Sequence, residues 1–215
     1  MNSRQKQSGF TLIEIAIVLV IVGLLIGGVL KGQELITQAK IKSVVGDFTG
    51  TQTALYGYQD RYKQLPGNDP GAATRWTGAT AGSGSGSILG KYNDPSNTAI
   101  GTSETPYFWQ DLRLAGFIAG DSTSTAAPKN SFGGAVGVQM STGVLGFPNP
   151  TVMICSGSLP GKVAEAVDAQ LDDGKPNSGT VRAMADTAPP TTLTNTPAAG
   201  YVDDGNTLYV VCQRL

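Results

Sequence analysis

Histidine is missing from this chain of 215 residues, and cysteine occurs only twice, as Cys155 and Cys212. The first absence removes imidazole acid–base chemistry and the Ser-His-Asp and Cys-His nucleophile arrangements; together the two shortages remove the common zinc sites. No nucleophile motif takes their place, so the chain is expected not to be an enzyme and to carry no cofactor. Charge is scarce as well, with Asp, Glu, Lys and Arg at 14% and a formal net charge of −1. A nucleic-acid-binding face would need a basic patch or a high pI, and neither is present, so no nucleic-acid partner is expected. Glycine and serine alternate from Gly82 to Ser87. That stretch lacks the Lys-Ser/Thr and the preceding strand of a phosphate loop, and it reads as a flexible polar connection.

What the chain does have is one long oily run near its start. Met1 to Ser8 form a short polar leader whose charges are Arg4 and Lys6, and from Phe10 to Leu30 the sequence is apolar but for Thr11, Glu14 and glycines. As a helix at about 1.5 Å per residue this run spans about 31 Å, the thickness of a bilayer's hydrocarbon core. Glu14 is out of place there. A charged side chain near a membrane centre costs about 2.5–3.5 kcal/mol on the insertion scale, so an intramembrane acid is read as functional. The plainer alternative is an acid favoured beside a helix N-terminus by the macrodipole. A secretory signal puts its apolar region before the cleavage site. Here the only plausible processing point, Gly9, precedes the apolar run, so cleavage would leave the helix on the mature chain. Positive charge on the leader predicts a cytoplasmic N-terminus and an outward-facing C-terminal domain.

Gly9-Phe10-Thr11-Leu12-Ile13-Glu14 resembles the processing site of type IV prepilins and of type II secretion pseudopilins. The resemblance is strong over about residues 4 to 45 and architectural beyond. It implies cutting after Gly9 by a membrane-embedded prepilin peptidase, N-methylation of Phe10, and an assembly role for Glu14, pairing with the terminal amine of a neighbouring subunit. The implied partners are prepilin peptidase, other pilin or pseudopilin subunits and an inner-membrane assembly platform. The implied location is the bacterial inner membrane before assembly and a surface or periplasmic filament afterwards. Many such proteins carry a proline about one turn past the run; here Gly27, Gly28 and Lys31 follow, and the glycines would loosen the helix or admit close neighbours.

Beyond Lys31 the apolar residues Ile41, Val44, Phe48, Leu55, Tyr58, Tyr62 and Leu65 recur at spacings of three and four if Thr51 fills the gap. That is one face of a continuing helix, halted by Pro66-Gly67. Asp69-Pro70 predicts a capped short helix through Trp76, and Thr105-Pro106 a second through Leu114, with Phe108, Trp109, Leu112 and Phe117 as core. Strands are expected at 135–140, 143–147, 151–155 and 181–184, with Tyr201 and 208–212 in a final one, and a helix at 162–171. Residues 187–199, rich in Thr, Pro and Ala, read as an exposed loop, the natural contact if the chain is instead a minor tip pilin that binds a surface, DNA or a secreted substrate. The fold expected is α+β and pilin-like, a long N-terminal helical spine under a mostly antiparallel sheet. Its organisation is a leader at 1–9, a membrane or filament-core helix at 10–30, and an amphipathic half-helix with its head at 31–215.

Cys155 and Cys212 each sit in an apolar, β-branched run. An even pair in an exported domain reads as a disulfide, stabilising by roughly 4 kcal/mol through loop entropy; two buried thiols are the alternative. Asp168, Asp172 and Asp173, and separately Asp203-Asp204-Gly205, are acidic turns. Calcium takes such oxygens, but the spacing is not that of a D-x-D-x-D-G loop, and Asp-Gly is ordinary turn chemistry, so no metal is assigned.

Overall fold

The computed structural model describes residues 11–187 and 192–215. Gly9, Phe10 and the leader lie outside the described residues, as do residues 188–191 of the Thr/Pro-rich loop. The chain divides into two compact units, one ending at Ala39 and one over Lys40–Leu215. Helix α1, Leu12–Tyr62, supplies the described part of the first unit and opens the second.

In the first unit the side chains of α1 are almost all solvent-facing: Leu12, Leu19, Leu24, Leu25 and Leu30 are each more than 60% exposed. The helix runs unbroken through Gly23, Gly27 and Gly28, and a Cβ at any of the three would meet open space. It is long and apolar enough to cross a membrane.

In the second unit the expected stripe is the buried face of α1: Ile41, Val44, Phe48, Thr51, Leu55 and Tyr58 are buried, and Lys40, Lys42 and Asp60 are exposed. Thr51 does fill the gap, its hydroxyl donating to the Asp47 carbonyl at 2.7 Å. The helix ends at Tyr62, before the proline: Lys63 turns left-handed at φ 56° and Gly67 at φ 78°. Helix α2 is a single turn, Ala72–Arg75. It starts later than Asp69-Pro70 predicts, because the Asp69 carboxylate accepts from the Gly71 amide in a turn rather than capping the helix. Helix α3, Thr105–Leu114, and helix α4, Gly161–Leu171, lie where their patterns put them.

Four strands, β1 Val136–Ser141, β2 Thr151–Pro160, β3 Val181–Ala185 and β4 Leu208–Arg214, form one antiparallel sheet in the order β1-β2-β4-β3. The architecture is α+β and pilin-like. Alternate residues point to opposite faces. On one face Val138, Ile154, Leu159, Val181, Ala183, Tyr209 and Val211 pack with α1, α3 and α4 in the main core. On the other, Met153, Cys155, Val210 and Cys212 meet Tyr92, Val144, Leu145, Phe147 and Leu193 in a second core. A sheet covered on both faces needs unbroken apolar strands, which is why 152–155 and 208–212 show no polar alternation.

Three expectations are corrected. Residues 143–147 form a 3-10 turn at Val144–Gly146, not a strand: Gly143, Leu145 and Gly146 all take positive φ, which no extended strand allows. Tyr201 lies in a loop, outside β4. The loop near 187–199 is not simply exposed, since Leu193 is buried in the second core and the Thr194 carbonyl accepts from the Leu145 amide. Both outer edges of the sheet are engaged by the chain itself. Pro128 O accepts from Val136 N and Thr105 Oγ1 donates to Val138 O at β1; at β3, Pro176 O accepts from Ala183 N, and Ala198 N donates to Ala183 O.

Candidate functional site

Glu14 sits in the first turn of α1, three residues after Thr11. Its Oε2 accepts from the Thr11 amide at 2.8 Å and from the Thr11 hydroxyl at 2.7 Å, while the Glu14 amide donates to Thr11 Oγ1 at 3.3 Å. This reciprocal pair is a capping box: each side chain satisfies the other residue's amide, which has no partner inside the helix. Glu14 therefore has a partner within its own chain. Thr11 is the residue the sequence reading passed over, although a Thr-x-x-Glu spacing ahead of an apolar run is the recognised signal for this cap. The acid's position is favoured by both devices, the box and the helix macrodipole.

Across residues 4–30, a stretch that includes Thr11 and Glu14, the chain matches the family signature described as the prokaryotic N-terminal methylation motif. The chain carries the type IV pilin and pseudopilin signature. No curated protein and no solved structure matches it. The pilin signature implies processing by prepilin peptidase and assembly with other pilin-type subunits, and the apolar α1 is consistent with membrane anchoring beforehand.

Cys155 and Cys212 form a disulfide between directly opposed residues of β2 and β4, with Cα atoms 4.0 Å apart. Both are fully buried in the second core. The bond joins the two central strands of the sheet and lies far in sequence from Glu14.

The acidic trio is brought together: Asp168, Asp172 and Asp173 can each place an oxygen within 4.8 Å of the others. These oxygens already serve the fold. Asp168, fully buried, accepts from the Tyr201 hydroxyl at 2.6 Å and the Gly174 amide at 3.2 Å. Asp172 accepts from the amides of Thr180 and Val181, and Asp173 from the Lys175 amide and Ser178 hydroxyl. Burial pushes the Asp168 carboxyl up, whereas the Ser178 hydroxyl and the Lys175 amide hold Asp173 below the usual range. Asp204, in its own turn, is held down at about 2 by the Thr207 and Asn206 amides and the Thr207 hydroxyl. The trio fastens the end of α4 to the start of β3, and we assign it no metal.

Proposed function

We propose that this protein is a structural subunit of a type IV pilus-like filament. It is cut after Gly9 by prepilin peptidase, N-methylated on Phe10, held in the inner membrane with its head outward, and then assembled through α1. The observation that carries this reading is the methylation motif joined directly to an apolar helix whose 18-residue core has no buried residue. An uncovered surface of that size needs lipid or other subunits around it. The engaged sheet edges support the helix, rather than strand addition between heads, as the polymerising element. Glu14 is the assembly contact in this reading, passing from its own Thr11 to a neighbour's terminal amine. The second reading is a pseudopilin of a type II secretion system; the disulfide-linked cysteines favour the pilin, since such a pair resembles the arrangement in many pilins.

The capping box makes the Glu14 role separable from mere helix capping. Glutamine can close the same box but carries no charge. Glu14→Gln and Glu14→Val should both be processed after Gly9, and both should be depleted from sheared filament fractions. Normal incorporation of Glu14→Gln would reduce Glu14 to a helix cap. Gly9 replaced by a bulky residue should leave uncut precursor in the membrane, seen as a heavier band on immunoblots.

A further inference from the structure

Where α1 ends, the chain enters the turn Pro66–Asp69, and all four residues of that turn are buried. Two of its residues, Gly67 and Asn68, are held by acids, and a third, Asp69, is an acid held by its neighbours. The Gly67 amide donates to Asp111 Oδ2 of α3 at 2.7 Å. The Asn68 side-chain amide donates to both oxygens of Glu104 at 2.9 and 3.0 Å. Asp69 accepts from the Tyr58 hydroxyl of α1 at 2.7 Å and is ion-paired with Arg75 of α2. Gly67 is pressed against the start of α3 so closely that a Cβ would lie 2.6 Å from the Glu104 carbonyl oxygen.

Asp111 differs from its two companions. Glu104 is ringed by donors, adding the amides of Ser83 and Leu89 to Asn68, and Asp69 has the guanidinium. Asp111 is 1% exposed and holds one amide, and its Oδ1 has no hydrogen-bond partner among the described residues. The charge that reaches it is that of Arg75 from α2, while its own charge reaches the Tyr58 hydroxyl of α1. Arg75 is already committed to Asp69, with its plane over the rings of Tyr62 and Trp76 at 4.6 and 5.1 Å. A buried carboxylate with a single donor is costly when ionised.

We infer that Asp111 is a proton-operated latch between the end of α1 and helix α3: the fold around it is more stable with the carboxyl protonated. One amide donor does not replace the solvation that a buried carboxylate loses, even though the Gly67 bond itself is stronger to the ionised form. Burial pushes its carboxyl up to about 7, against the opposing pull of the Gly67 amide and the Arg75 charge. The sign follows from linkage. An unfolded chain releases this proton near pH 4, the native protein near 7, so between those values the native state binds more protons. The stability contributed is complete in acid, falls as pH rises through that window, and is constant again above it. The native fold is therefore more stable in mildly acidic surroundings than in alkaline ones.

The test uses the full chain in detergent micelles. Denaturation midpoints of the wild type and Asp111→Asn are followed from pH 5 to 8.5, asparagine keeping an oxygen for the Gly67 amide without a titrating proton. The wild-type midpoint should fall relative to the variant as pH rises, and the variant should be the more stable of the two at pH 8. Parallel profiles would overturn the latch. A second measurement needs no variant: the Gly67 amide resonance in the glycine-labelled wild type should move with a midpoint near 7. An amide that does not titrate between pH 5.5 and 8.5 would overturn it too.

Discussion

At the scale of single residues, the strongest constraints fall where backbone and side chain leave no alternative. Gly67 combines φ 78° with a backbone carbonyl and amide within 2.7 Å of any added Cβ. Gly67→Ala should therefore cost at least about 1–3 kcal/mol from the left-handed conformation alone, with the clash added, and a urea unfolding curve would register it. Glycine and proline at 66–67 mark the end of a helix in sequence, but not the acids that receive the turn. Asp111 is 44 positions from Gly67, and Glu104 is 36 from Asn68. Pairings of that span depend on how α3 meets the end of α1, which no local pattern encodes. The Thr11–Glu14 box is the opposite case. It is local, and its Thr-x-x-Glu spacing is a known cap signature, so it is legible in the sequence.

At the scale of elements, periodicity was a sound guide wherever one face is buried against one core. The face of α1 from Ile41 to Tyr58 and the helices α3 and α4 follow their patterns closely. It failed where an apolar run has another cause. Residues 143–147 are apolar because Val144, Leu145 and Phe147 cover the disulfide side of the sheet, and the glycines at 143 and 146 bend them into a 3-10 turn. Leu193 covers the same side from a segment whose composition reads as loop. Two predictions follow from this second core. Replacing both Cys155 and Cys212 by alanine should lower the unfolding free energy by roughly 4 kcal/mol from loop entropy, more if the cavity does not collapse. Leu193→Ala should cost about 2–5 kcal/mol, despite its place in a loop, if that side of the sheet is a true core; a change under 0.5 kcal/mol would place Leu193 outside it.

For the whole molecule, the two units obey different chemistry. The second unit buries its apolar surface on both faces of a sheet and engages its own edges, so it is complete by itself. The described part of the first unit is a helix of exposed leucine, isoleucine and valine, long and apolar enough to cross a membrane. The motif over residues 4–30 marks that helix with the type IV pilin and pseudopilin signature. The most direct test is mass spectrometry of the N-terminal peptide of this subunit recovered from sheared filaments. A peptide beginning at Phe10 and carrying one added methyl group is the predicted result. A subunit that still begins at Met1, or that never enters the filament fraction, would contradict assembly through a processed N-terminal helix.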